Sequence, residues 1–142
     1  MAPVKSIAAP FGQADRSVGT LPVVSGVVVA SPLSPDGGTL AVCSDTDPTL
    51  ALVDVTDPAR PEIRASVALP DACVTAEFSA DSRQLVVPTL GPETLIVDTS
   101  DPDRPTVAHR LTTGIGASPS AGYAHDASLL ATSGGDQTIR LW

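Results

Sequence analysis

Leu33-Ser34-Pro35-Asp36 returns as Phe78-Ser79-Ala80-Asp81 and once more as Tyr123-Ala124-His125-Asp126. Each copy opens with a bulky residue, closes with an aspartate and begins 45 residues after the copy before it. A leucine follows each aspartate at a constant distance, so the repeat anchors are Asp36, Asp81 and Asp126 together with Leu40, Leu85 and Leu130. A fixed period of this length predicts a chain built from copies of one supersecondary unit.

A second pair of similar segments supports this period. Residues 57–61 (DPARP) return as residues 101–105 (DPDRP) after a step of 44. Because this step is one shorter, one residue is lost between the two anchors, most easily in the turn around Gly91. Arg60 and Arg104 therefore occupy equivalent positions in successive units.

The order of elements within one unit can be read from residues 26–71. Apolar runs at 27–33, 39–44, 50–55 and 63–69 are separated by turns rich in Gly, Pro and Asp. Short runs bounded in this way indicate strands, and the sequence shows no longer segment with the 3.6-residue period of a helix. The first three runs are almost continuously apolar, as strands covered on both faces are, whereas the fourth alternates with polar residues. One unit is therefore predicted to be a four-stranded antiparallel sheet.

Four-stranded sheets that repeat every ~40–45 residues are typical of β-propeller blades. The predicted fold is all-β, with one blade in residues 26–71, a second in 72–113 and three strands of a further, truncated blade in 114–142. The N-terminal segment, residues 1–25, is expected to supply an outer strand of a neighbouring blade around residues 17–24. About three blades make an incomplete ring, since closed propellers have about 4–8.

Three segments resemble WD-repeat propeller proteins. Residues 34–42 (SPDGGTLAV) are similar to the first turn and second strand of such repeats, and residues 136–142 (DQTIRLW) to the turn and third strand that carry the family's Trp. Residues 53–61 (VDVTDPARP) resemble loops of bacterial WD-repeat and LVIVD-repeat proteins. The resemblance covers roughly residues 26–142, and it implies a propeller that serves as a sensor or assembly module beside other domains.

The resemblance also implies a buried hydrogen-bond network of His, Ser or Thr, Asp and Trp, which is incomplete here. The Gly-His pair that precedes the first strand in the family is missing, and residues 70–71 and 113–114 take its place. The last unit matches best, with Asp136, Trp142 and Ser133, whereas the first two units have no Trp. We therefore expect aliphatic packing to hold the blades together.

Composition limits the partners and the compartment. The 142 residues carry a formal net charge of −8, which argues against nucleic acid and anionic membranes as partners. No apolar run approaches the ~20 residues of a membrane span, and residues 1–10 do not read as a secretory signal. Cys43 and Cys73 are too few for a disulfide scaffold and are expected to be buried groups with free thiols. These features predict a cytoplasmic protein.

An incomplete ring leaves blade faces uncovered. Such faces are expected to exceed the apolar patches of ~300–600 Å² that are typical of monomers. The sequence therefore predicts either a fragment of a longer propeller protein or copies that associate through their open blade faces as a homo-oligomer.

No pattern in the sequence indicates catalysis, a cofactor or a metal. Residues 114–116 lack the helix that follows a dinucleotide-binding loop, and no nucleophile elbow surrounds Ser118 or Ser120. His109 and His125 have no second ligand at metal spacing. The anchor aspartates recur in every unit, which assigns them to turns and not to acid–base chemistry.

The arginines of the repeated loops allow two interpretations. Arg60 is expected to pair with Asp57, and Arg104 with Asp101, as exposed ion pairs. The other interpretation is that both arginines offer rim contacts to an acidic partner.

The predicted function is a non-catalytic scaffold that binds protein partners through its loop-rich rims. The alternative is a propeller enzyme or a small-ligand-binding lobe with a site in the central channel. The inner strands offer mainly Val, Ala and Ser for such a site, and no cofactor is expected.

Overall fold

The computed structural model describes residues 19–113 and 120–142, which form three antiparallel sheets. Sheet A contains, in spatial order, β1 (Val28–Ala30), β2 (Thr39–Ser44), β3 (Thr49–Asp54) and β4 (Glu62–Ala68). Sheet B contains β5 (Glu77–Phe78), β6 (Gln84–Pro88), β7 (Glu93–Asp98) and β8 (Thr106–Thr112). Sheet C contains β9 (Ser120–Tyr123), β10 (Leu130–Ser133) and β11 (Ile139–Leu141), with β10 in the middle. The described ranges contain no helix, so the predicted all-β class is confirmed.

Each sheet lies within one of the three segments that the repeat delimits, and the described part of the chain forms no closed ring. Residues 17 and 18 of the expected N-terminal strand lie outside the described ranges. Residues 19–24 form no strand within the described sheets, and the expected outer strand of a neighbouring blade stays a prediction. Within the described ranges, no helical segment has the length and apolar character that a membrane span requires.

The pairing register shows where the repeat loses its residue. Val42 pairs with Ala51, nine positions along the chain, whereas the equivalent Val87 pairs with Leu95, only eight positions along. The shortening therefore lies in the turn between β6 and β7, which contains Gly91, as the sequence predicts. After that turn, equivalent residues of sheets A and B are 44 apart.

Alternate residues of each strand point to opposite faces of its sheet, so a sheet can pack on a neighbour through either face. Sheet A packs on sheet B through a shared core of aliphatic residues with Phe78: Ala41, Cys43, Leu50, Leu52, Leu85, Val87, Leu95 and Val97 form its centre. Sheet B packs on sheet C through a smaller core that contains Val86, Ile96, Ala121 and Leu130. Aliphatic packing therefore holds both interfaces, and sheet B is covered on both faces.

A bulge recurs at equivalent places in sheets A and B. In sheet A, Leu52 pairs with Ala65 and Val53 with Ile63, so Arg64 is the extra residue of β4. In sheet B the register shifts between Ile96 and Val97 in the same way. A bulge re-aims the extra side chain and strengthens the local twist, which gives the outer strands of both sheets the same local geometry.

The two cysteines are buried, but the expectation of free thiols is wrong. Cys43 in β2 and Cys73 in the segment that leads into sheet B form a disulfide with a Cα–Cα distance of 6.1 Å. The long-range packing of sheet A on sheet B brings these residues together, and the spacing of two cysteines in a sequence does not report such a contact. The prediction of a cytoplasmic protein depended on free thiols, and the disulfide removes that support.

Candidate functional site

The three anchor aspartates occupy the turns between the first and second strands of the three sheets. In each turn one carboxylate oxygen accepts the backbone amide two residues later, at 3.0 Å for Asp36, Asp81 and Asp126 alike. A serine hydroxyl donates to the same oxygen, from Ser34 at 2.5 Å in the first turn and from Ser79 at 2.6 Å in the second. These contacts form Asx-type turns, which reverse the chain before the second strand.

The same contacts fix the charge state of the anchor carboxylates. The Ser34 hydroxyl, followed by a backbone amide, holds the pKa of Asp36 below its usual range. The pKa of Asp81 and that of Asp126 are lowered for the same reason, with a serine hydroxyl as the main cause. A proton donor at neutral pH needs a raised pKa, so these groups are suited to hold turns and not to transfer protons.

The residue after each anchor aspartate has a left-handed backbone conformation in all three turns. The backbone angle φ is +77° at Gly37, +63° at Ser82 and +57° at Ala127. Glycine adopts this conformation without strain, whereas a residue with a Cβ atom is strained there by roughly 1–2 kcal/mol. The shared geometry shows that the turns are structural equivalents even where the side chains differ.

The anchor leucines differ in burial. Leu85 and Leu130 are buried, Leu85 in the core between sheets A and B and Leu130 in the core between sheets B and C. Leu40 is half-buried and pairs with Val53, as Leu85 pairs with Val97. All three therefore occupy the same place in their sheets, on the face that points toward the preceding unit.

Asp136 and Trp142 make separate polar contacts in the last hairpin, and Trp142 does not bond the serine that the resemblance implied. The Trp142 indole Nε1 donates to Thr132 Oγ1 at 3.0 Å. Ser133 takes a different partner, because its hydroxyl donates to the Ser120 carbonyl at 3.5 Å. Strand alternation explains why Trp142 bonds Thr132 and not Ser133. Thr132 lies on the same face as Leu130 and Trp142, whereas Ser133 lies on the opposite face.

Asp136 pairs with Arg140 in this hairpin. A guanidinium nitrogen of Arg140 lies 2.7 Å from a carboxylate oxygen of Asp136, and a second nitrogen donates to the Thr113 carbonyl at 3.0 Å. The Arg140 contact and the Thr138 hydroxyl hold the pKa of Asp136 far below its usual range. Arg140 therefore ties the hairpin of sheet C to the end of sheet B.

The loop arginines do not form the expected ion pairs. Arg60 and Arg104 are exposed, and each donates its backbone amide to an aspartate carbonyl, Asp57 at 2.9 Å and Asp101 at 3.0 Å. No ion pair within the described ranges involves either guanidinium. Arg60 lines a shallow cleft of about 220 Å³ together with Asp54, Asp57 and Glu62, so its surroundings are acidic.

Arg64 makes the ion pairs instead, and the sequence reasoning did not single it out. Its guanidinium lies 2.8 Å from an Asp54 carboxylate oxygen within sheet A and 3.5 Å from an oxygen of Asp103 in the β7–β8 loop of sheet B. Because Arg64 is the extra residue of the β4 bulge, side-chain alternation alone does not place it. This arginine joins the outer edges of two sheets.

A small cleft lies between sheet B and sheet C. It has a volume of about 170 Å³ and is lined by apolar residues such as Leu111 and by the polar edges of His109, Tyr123 and Trp142. The Tyr123 hydroxyl lies 3.3 Å from Gln84 Oε1, and burial, together with the nearby Asp81 and Glu77 carboxylates, raises the pKa of Tyr123 to about 12. Tyr123 therefore stays protonated at neutral pH and acts as a packing and hydrogen-bonding group.

No metal site can be assembled from the described residues, because within 19–113 and 120–142 no three His, Cys, Asp or Glu side chains cluster suitably. His125 is exposed beside Asp126, and His109 is exposed on β8. The structure thus does not bring these two histidines into a common site with other ligands.

The surface with the clearest signature of an interaction site is the far face of sheet C, which we define by Ala131, Ile139 and Leu141. Leu52, Ile96 and Leu141 occupy equivalent positions, since they pair with Ala41, Val86 and Ala131, respectively. The exposed fraction is 0% for Leu52 and 5% for Ile96, but 62% for Leu141. A position that the next sheet covers in sheets A and B is therefore open in sheet C.

The two ends of the stack differ. The face of sheet A that points away from sheet B carries Val42, Ala51 and Val53, and all three are buried. The expectation of an open apolar face thus applies to the sheet C end and not to the sheet A end. A second apolar strip runs along β1 and the residue before it, where Val27, Val28 and Val29 are exposed.

Comparison with protein-family models gives no match, and no curated protein matches the chain. The likeness to WD-repeat proteins therefore depends on the residues quoted above and stays a prediction.

Proposed function

We propose that the chain is a non-catalytic protein-interaction scaffold whose sheets are propeller-like blades. In this proposal the far face of sheet C is the docking surface for one further sheet. Either another unit of a longer propeller protein or a second copy of the chain supplies that sheet. In the WD-repeat proteins of the bacterial type that the chain resembles, such blades serve as assembly modules.

The observation that carries the proposal is the exposure of Leu141. Its equivalents Leu52 and Ile96 are buried because sheets B and C cover them. Large apolar side chains that stay exposed together on a sheet face mark interaction surfaces. Ile139, on the same face, is exposed by 77%, which extends the surface along β11.

The polar contacts of the last hairpin support the WD-like interpretation. Trp142 donates to a hydroxyl on the middle strand, and Asp136 lies in the turn before β11, where it accepts the Thr138 backbone amide. Arg140 takes the ionic contact with Asp136.

The experiment that tests the proposal measures the mass of the particle in solution as the chain concentration rises. We expect an average mass above the 14.4 kDa of one chain, increasing with concentration. A folded particle that keeps the mass of one chain at every concentration and melts cooperatively would contradict both versions of the docking proposal.

A further inference from the structure

The Cys43–Cys73 disulfide joins sheet A to the segment that enters sheet B. Cys43 lies in β2, and Cys73 lies 30 residues later, after the whole of β3 and β4. The chain has two cysteines, and this bond uses both. The bond therefore closes a covalent loop around the outer half of sheet A.

Both cysteines lie inside the core between sheets A and B. Cys43 is 0% exposed and Cys73 2%, and both belong to the apolar cluster that includes Leu50, Leu69 and Phe78. A small reductant or a thiol enzyme cannot reach a sulfur atom in that position without opening the interface. The bond is therefore suited to hold the fold together and not to act as a surface redox switch.

We infer that the chain folds and works in an oxidising compartment, where the disulfide forms during folding and then persists. Structural disulfides persist outside the reducing cytosol, and small domains with limited cores use them for stability. Within the described residues, the core between sheets A and B consists of aliphatic residues, the two cysteines and Phe78, and the 142 residues include only four aromatic side chains. This inference does not depend on the proposed scaffold function.

The bond forms by thiol–disulfide exchange with an external disulfide, which is the oxidant. One cysteine thiolate attacks a sulfur of the external disulfide, which breaks that bond and releases one external thiolate. The second cysteine thiolate then attacks the mixed disulfide, forms the Cys43–Cys73 bond and releases the other external thiolate. The external disulfide accepts two electrons and the two protons lost by the cysteines, and it is thereby reduced to two thiols. Because both sulfur atoms are buried in the folded chain, this exchange takes place before the interface between sheets A and B closes.

The test is a thiol count on the protein taken from the cells that produce it naturally. The cells are quenched in acid, the chain is unfolded, and free thiols are labelled with a maleimide before and after reduction. The intact mass then gives the number of labels. We expect no label before reduction and two labels after it, whereas two labels before reduction would overturn the inference.

Two controls keep the test decisive. The Cys73→Ala variant has one thiol and should take one label with or without reduction, which calibrates the labelling. Purified oxidised protein is also treated with a dithiol reductant in the absence and in the presence of denaturant. We expect reduction only in denaturant, because the folded interface shields the bond. Fast reduction of the folded protein would refute the structural role.

Discussion

Replacing Leu141 by serine should weaken association of the chain while leaving its fold intact. Burying a complete leucine side chain stabilises by roughly 1.5–3 kcal/mol. Because 62% of Leu141 is still exposed, a partner sheet that covers it should gain about 1–2 kcal/mol from this side chain. A pair that forms through this face buries Leu141 of both copies, so the substitution removes about 2–4 kcal/mol. Because about 1.4 kcal/mol is a factor of ten, Leu141→Ser should weaken association about 30–900-fold.

The fold itself should tolerate the change. The part of Leu141 that is already buried contributes about 1 kcal/mol or less, so the melting temperature should fall by only a few degrees. Leu52→Ala, at the equivalent but buried position, should cost about 2–5 kcal/mol. The contrast between these equivalent leucines separates loss of association from loss of folding.

Sedimentation equilibrium over a wide range of chain concentration measures the effect, with circular dichroism to check the fold. Leu90→Ser is the matched control, because Leu90 is an exposed leucine in the β6–β7 turn, away from the far face of sheet C. We expect Leu90→Ser to associate like the wild type. Equal weakening by both substitutions, or no association of the wild type, would refute the reasoning that assigns the far face a docking role.

Three further predictions concern the stability of the fold. The double variant Cys43→Ala/Cys73→Ala should lose roughly 3–4 kcal/mol of unfolding free energy in urea, since the bond closes a loop of about 30 residues; an unchanged midpoint would contradict this. Ala127→Gly should raise the free energy of unfolding by up to ~1 kcal/mol in the same assay, because it relieves a left-handed conformation at φ +57°, and a lower value would contradict the strain argument. The lowered pKa of Asp136 means that its ionised form stabilises the fold above the unfolded-state pKa of about 4 and that this contribution is lost as the pH falls below that value. Asp136→Asn should therefore flatten the fall in melting temperature between about pH 5 and pH 3, and an unaltered slope would contradict it.

The periodic anchors predict the sheets because they mark the turns. An aspartate that accepts a nearby backbone amide reverses the chain wherever it occurs, so Asp36, Asp81 and Asp126 fix three chain reversals from local chemistry alone. The apolar runs between the turns then have the length of strands. The lost residue near Gly91 follows from comparing two step lengths, which needs no knowledge of long-range contacts.

The missed features depend on contacts that are distant in sequence. The disulfide requires sheet A to pack on sheet B, and Arg64 reaches Asp103 only because a bulge re-aims it. Choosing Thr132 over Ser133 as the partner of Trp142 was within reach of the sequence. Leu130 is an anchor of the buried face, and strand alternation places Thr132 on that face.

The direction of the stack limits how copies of the chain can associate. At each interface, the face of one sheet that points toward the following unit packs on the face of the next sheet that points toward the preceding unit. Leu52 of sheet A and Leu85 of sheet B lie on two such faces, in one shared core. Head-to-tail growth would need the far face of sheet A, where Val42 and Val53 are buried in the chain. A second copy that docks through its own far face of sheet C gives a two-fold contact that closes on itself. Self-association through this face stops at a pair, whereas a longer propeller would continue from the same face with a new unit.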